Sequence, residues 1–139
     1  MKNQRSTKVK ALVIAAHGSR KKETALEVEA LVERLAKKAA DEFHFVEHAF
    51  LQFTEPGLEE VMETLVQRGA KKIFIFPFFI AVGTHVLQDL PECIEKAQKT
   101  HPGVDFIITR HLGALESIED VILNEVREGV PRPEGERAD

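Results

Sequence analysis

Three side chains in this sequence are chemically suited to handle a metal ion together: His17, Glu47 and His85. Imidazole nitrogen suits iron, cobalt, nickel and zinc, and a carboxylate adds the negative charge that a divalent ion needs. Three protein ligands leave one coordination position open, which fits catalysis or metal transfer better than a closed structural site. Residue types alone leave other readings standing. A histidine just after a strand also serves as a hydrogen-bonded turn residue, and Glu47 also reads as a charge that keeps an edge strand from pairing.

The elements that must position these groups are legible in the hydrophobic pattern. His85 lies in residues 73–92 (IFIFPFFIAVGTHVLQDLPE), where a β-branched and aromatic run empties through Gly83 into Thr84, His85 and Asp89. Such a run reads as a strand buried on both faces, and ligands of open α/β sheets sit beyond the carboxyl ends of strands. Residues 11–16 (ALVIAA) form a similar run that ends at His17-Gly18-Ser19-Arg20. Residues 43–51 (FHFVEHAFL) are a third, with Glu47 near the C-terminal end on the face shared by Phe45 and Ala49. Residues 104–109 (VDFIIT) complete a set of four strands.

Helical patterns separate them. Ala25, Val28, Val32, Leu35 and Ala39 recur at spacings of three and four within residues 23–41. A second helix is expected from Thr54-Glu55-Pro56 to Gly69, a third from near Pro91 to Thr100, and a closing one through Leu115, Ile118, Val121, Ile122 and Val126. Strand and helix alternate four times, which predicts an α/β fold: a three-layer α/β/α sandwich on a four-stranded, mainly parallel sheet. In it the turns after strands one and three meet where the strand order reverses, bringing His17 and His85 together. Residues 10–128 read as a single domain, 1–9 as a flexible lead and 129–139 as a disordered tail rich in proline, glycine and charge.

Composition narrows the function classes. At 139 residues with a net charge of −4 and acids and bases interspersed, the chain carries no sustained basic stripe, so nucleic acid is not an expected partner. The single cysteine, Cys93, provides neither an intramolecular disulfide nor a Cys-x-x-Cys pair. The run 11–16 is too short for a membrane span or a secretory signal, so no membrane partner is expected and the cytoplasm is the default location. Gly18, Ser19, Arg20, Lys21 and Lys22 at the start of the first helix read either as an anion site or as a glycine turn with a Ser cap and a solvated basic patch.

Taken as a set, several pieces resemble one family. They are His17-Gly18-Ser19-Arg20, then Val46-Glu47-His48-Ala49-Phe50-Leu51 with Glu55-Pro56, then Pro77-Phe78-Phe79 with Gly83-Thr84-His85 and Asp89-Leu90-Pro91. In order and spacing these resemble the small CbiX and SirB type of class II tetrapyrrole chelatase, and the resemblance covers residues 13–113. It implies a chelatase-like fold, a flavodoxin-like half, and insertion of a divalent metal into sirohydrochlorin. Cobalt leads toward cobalamin, iron toward siroheme, and nickel is used by some relatives. Cobalt ranks first here on family precedent, as substrate and not as a permanently bound cofactor. The family's two active-site histidines fall on His17 and His85, and its acidic residue on Glu47.

Sirohydrochlorin is an apolar disc ringed by carboxylates. A fitting cleft needs an apolar floor, for which Phe53, Phe79, Val82 and Leu87 are candidates, and a rim of cations or hydrogen-bond donors, for which Ser19, Arg20 and Thr84 are candidates. The phenylalanines also read as core. Long family members carry two such domains where this chain carries one, so the resemblance implies a homodimer. It also departs in places: the tail PRPEGERAD has no His-rich segment, and His111-Leu112-Gly113 stands where Pro-Leu-Gly is common. His111 reads as an accessory ligand or as a turn residue. The other functional classes considered are a histidine phosphatase, which looks for an Arg where this chain has Ala16, and a non-catalytic metal or tetrapyrrole carrier.

Overall fold

A computed structural model describes residues 8–81 and 83–129, and for His85 it describes the backbone. The expected flexible lead and tail lie outside the described residues, except for Lys8, Val9 and Gly129, and so does Val82. The elements run β1 (Lys10–Ala16), α1 (Lys22–Lys38), β2 (Phe45–Phe50), α2 (Leu58–Gln67), β3 (Lys72–Phe78), α3 (Thr84–Thr100), β4 (Asp105–Ile108), a 3-10 turn (Leu112–Ala114) and α4 (Ser117–Glu128). All three strand pairings are parallel, in the order β2-β1-β3-β4. This is the expected α/β architecture, with β1 central and the order reversing between β1 and β3.

Connection handedness decides which face each helix covers. The chain steps from β1 to β2 in one direction, and from β2 to β3 and on to β4 in the other. Right-handed crossovers therefore place α1 on one face and α2 with α3 on the opposite one. The packing follows suit. Val28 and Val32 of α1 meet Ile14, Ala16 and Phe50, while Leu58, Val61, Met62, Leu65, Leu90 and Ile94 close over Val13, Ala15, Ile73 and Ile75. Because one helix covers the first face and two cover the second, β3 is fully buried at Ile73, Ile75 and Pro77 but half-buried at Phe74, Phe76 and Phe78.

Two expectations about helices need correction. The second helix begins at Leu58, with Gly57 as its N-cap, and not at Thr54-Glu55-Pro56. The third helix begins at Thr84, not near Pro91, with Gly83 as its N-cap, so Thr84, His85, Leu87 and Asp89 lie on a helix and not in a loop. Pro91 sits inside it, where a missing N–H and a ring clash usually cost about 3 kcal/mol. Burial of the neighbouring Leu90 and Ile94 against the sheet offsets that cost, since each such side chain contributes about 1.5–3 kcal/mol. The closing helix α4 forms as expected but buries none of its residues.

Helices α2 and α3 are also tied at their far ends. His101 Nε2 lies 2.9 Å from Glu63 Oε1, and hydrogen bonds from His101 and Gln67 hold the Glu63 carboxyl below the usual carboxylate range. Among the described residues, no helix is long and apolar enough to cross a membrane.

Candidate active site at the strand ends

The central strand delivers His17 to the top of the sheet. In register, Ala16 stands between Phe50 of β2 and Phe78 of β3, so the next residue emerges where the three strand ends meet. His17 is exposed there. Its loop is laced to the one after β2: the Leu51 N–H donates to the Ala16 carbonyl and the Gln52 N–H to the His17 carbonyl, at 2.9 and 3.1 Å. The backbones come so close that a Cβ on Gly18 would lie 1.9 Å from the Gln52 oxygen, and Gly18 has φ +102°.

Side chains continue the lacing. The Ser19 N–H donates to Thr54 Oγ1 and the Thr54 hydroxyl donates back to the Ser19 carbonyl. Ser19 Oγ accepts from the Lys21 N–H at 3.1 Å, so it closes the turn ahead of α1, whose N-cap is Lys21 and not Ser19. The Arg20 guanidinium lies over the Phe53 ring, 4.5 Å from its centroid. Phe53 is 59% exposed and has φ +70°, an unusual conformation for a bulky residue. Such strain is found where a loop is held for function, and here it presents an aromatic face backed by a cation.

A cleft of about 720 Å³ opens beyond β2, between residues 52–55 and the side of α3 that carries Val86, Asp89 and Leu90. Its size falls within the range of small-molecule sites. Cys93 also lines it, and burial pushes that thiol up, leaving it protonated. The first turn of α3 borders the same end of the sheet, with Thr84 and Leu87 exposed and the His85 backbone between them.

Several candidate residues are placed apart from this arrangement. Phe79 is 9% exposed and stacks on the His111 ring at 5.6 Å, so it belongs to the packed exit of β3 and not to a cleft floor. His111 caps the 3-10 turn, and the Gly113 N–H that follows donates to the Phe79 carbonyl at 3.1 Å. Glu47 pairs in register with Val13, four residues below His17 and therefore about 13 Å down the sheet. It does share a face with Phe45 and Ala49, as expected, but β2 is an edge strand and the carboxylate meets Arg68 at 3.8 Å. Arg68 is held in turn over the Phe45 ring at 4.2 Å. Among the described residues, no three His, Cys, Asp or Glu side chains gather into a metal cage.

The consequence for Glu47 is measurable. A half-exposed ion pair of this kind is worth at most about 1 kcal/mol. Glu47→Gln is expected to change stability by less than that in thermal denaturation. A larger loss would mean that the pair with Arg68 carries more of the fold than its exposure allows.

Among the described side chains, the one that meets His17 is Gln52, whose Nε2 lies 2.9 Å from His17 Nε2. Sequence reasoning passed over it because an uncharged amide does not announce chemistry. The rule that singled out His17, the position just past a strand's carboxyl end, would have found it.

A model of the CbiX family matches residues 11–129. The chain belongs to the CbiX family. Among relatives, it is 30% identical over 125 residues to a chloroplastic sirohydrochlorin ferrochelatase of Arabidopsis thaliana, covering 90% of this chain and 55% of that protein. It is 35% identical over 92 residues to a sirohydrochlorin cobaltochelatase of Saccharolobus islandicus, covering 62% of this chain and 72% of the relative. The solved structure of SirB from Bacillus subtilis with Fe3+ superposes with a TM-score of 0.72 at 28% identity, covering 88% of this chain and 48% of SirB. The chain thus spans about half the length of the chloroplastic relative and of SirB. Membership in the CbiX family agrees with the resemblance carried by the sequence motifs, and the shared fold accounts for the strand-end placement of His17.

Proposed function

We propose that this chain inserts a divalent metal ion, cobalt first, into sirohydrochlorin on the way to cobalamin, with iron for siroheme or nickel as the alternative metals. The observation that carries the reading is the position of His17. It stands at the carboxyl end of the central strand, where β2, β1 and β3 end together and α3 begins. Membership in the CbiX family and the cobalto- and ferrochelatase names of the relatives support the same reaction.

The chemistry asks for three things. The ion must shed water, two pyrrole N–H protons must leave the macrocycle, and the metal must take their place between the nitrogens. A neutral imidazole can hold the ion or accept a proton, though a single lone pair cannot do both at once. These two tasks fall jointly to His17 and His85. Arg20 stacked on Phe53 offers a cation beside an apolar face, which suits a carboxylate at the rim of an apolar disc. Ser19, Thr84 and Leu87 extend the same border, while Phe79 and Glu47 serve the fold.

The test is the visible spectrum of sirohydrochlorin incubated without oxygen with purified protein and Co2+, Fe2+ or Ni2+ in turn. Catalytic conversion faster than the protein-free control supports a chelatase, and the fastest ion names the metal. Stoichiometric binding without turnover makes the protein a carrier, and no acceleration by any ion ends the proposal.

We also propose that the chain acts as a homodimer. Val121, Ile122 and Val126 lie on one stripe of α4 and are 65%, 55% and 69% exposed, an apolar face with no cover among the described residues. Sedimentation should give twice the chain mass, reduced to the chain mass by Val121→Asp with Val126→Asp. A wild-type monomer sinks the idea, and a dimer indifferent to both changes moves the interface elsewhere.

A further inference from the structure

An exposed histidine on a loop needs something to aim it, and only one side chain within hydrogen-bonding distance of the His17 ring is found among the described residues. Gln52 Nε2 lies 2.9 Å from His17 Nε2. An amide nitrogen has no lone pair to give, so of these two atoms only the ring nitrogen can accept. In a neutral imidazole, a ring nitrogen that accepts leaves the proton on the other one, and the partner of one nitrogen thereby selects the tautomer.

We propose that Gln52 is the positioning residue of His17: it holds the imidazole with its proton on Nδ1 and its Nε2 lone pair at the edge of the cleft that Gln52 itself lines. The base of the Gln52 side chain is well fixed for this task. Its backbone N–H donates to the His17 carbonyl, its own carbonyl lies against Gly18, and the Ser19 and Thr54 hydrogen bonds lock the two loops on the other side.

An amide can do what a carboxylate cannot. A carboxylate only accepts, so at this position it would hold Nε2–H and force the lone pair to Nδ1. The amide instead leaves the lone pair at Nε2. Once Nε2 has taken a proton, a half-turn about the terminal bond brings Oε1 round to accept from it. A metal ion arriving at the same nitrogen displaces the amide N–H. The chemical consequence rests on the chelatase reading, because Nε2 is then the atom that meets the ion or the pyrrole proton. The tautomer itself does not depend on that reading.

The experiment uses the full 15N-labelled chain with neither metal nor tetrapyrrole present, at a pH where the ring is neutral. Long-range proton–nitrogen correlation spectra report which ring nitrogen is protonated, and comparison with His17→Ala identifies the His17 signals. In the wild-type protein Nε2 should be the unprotonated nitrogen, with a tautomer ratio of about five to one, the equivalent of one net hydrogen bond of about 1 kcal/mol. Gln52→Met keeps the length but lacks the amide and should bring the ratio toward equality. Gln52→Glu should invert it.

A wild-type Nε2 that carries the proton, or one ratio common to all three proteins, overturns the proposal. Backbone amide spectra that match the wild type confirm that each variant is folded. In the insertion assay Gln52→Met should lower kcat about fivefold with KM for the tetrapyrrole unchanged. An unchanged kcat alongside a shifted tautomer overturns the role in catalysis. If no insertion occurs in any protein, the chelatase reading fails while the spectra still decide the positioning.

Discussion

Replacing His17 by alanine is expected to slow metal insertion by about 100- to 10,000-fold, the usual range for removing a group that transfers a proton in the rate-determining step. That is about 3–5 kcal/mol of barrier. The same change should leave the melting temperature nearly untouched, because the side chain is exposed, and surface substitutions away from caps and buried networks stay within about 0.5 kcal/mol. His85→Ala should lose rate to a similar degree, since the two residues share metal delivery and proton removal in the proposed mechanism. A large loss of rate at unchanged stability is the signature of a group that acts on the substrate. The measurement is the initial rate of the spectral change with the preferred ion, paired with a thermal denaturation curve. Full rate in either variant would remove that histidine from the chemistry, and full rate in both would remove the mechanism.

Much of the fold around this candidate site is legible in the sequence because the fold's signals are local and its rules are strict. Short apolar runs alternating with residues spaced by three and four give a parallel sheet. The reversal of strand order then puts the ends of β1 and β3 together, as Ala16 beside Phe78 shows. What was not legible depends on register and on competition between local signals. Pro91 reads as a helix start because proline is favoured in the first turn, yet Gly83 caps the helix and burial of Leu90 and Ile94 carries it through the proline. Glu47 is singled out by its charge, while its setting beside Arg68 follows only from counting rungs down an edge strand. Gln52 lies 35 positions from His17, and nothing in an amide's identity predicts their contact. Phe79 and Phe53 have the same side chain and opposite fates, one packed beneath His111 and the other held out in a left-handed turn under Arg20.

The close approach of the two loops makes Gly18 the most sensitive backbone position of the site. Gly18→Ala is expected to destabilise the protein by about 3 kcal/mol, because two separate costs fall on one methyl group. A non-glycine residue at φ +102° is strained by about 1–3 kcal/mol. The new Cβ would also stand 1.9 Å from the Gln52 oxygen, a backbone atom that cannot swing aside as a side-chain tip would, and overpacking of this kind costs about 1–3 kcal/mol more. For a domain of this size the melting temperature should fall by about 10 °C. Gly103→Ala supplies the control: a methyl group there would meet nothing within 4 Å and its φ needs no glycine, so its effect should stay within about 0.5 kcal/mol. Relief of the clash requires the loop after β2 to move outward, which carries Gln52 away from His17. Insertion activity should therefore drop about fivefold, as for Gln52→Met, even at temperatures where Gly18→Ala remains fully folded. A variant that melts like the wild type would mean that the loops part at little cost, and that the hydrogen bonds joining residues 16–19 to 51–54 do not hold His17 in place.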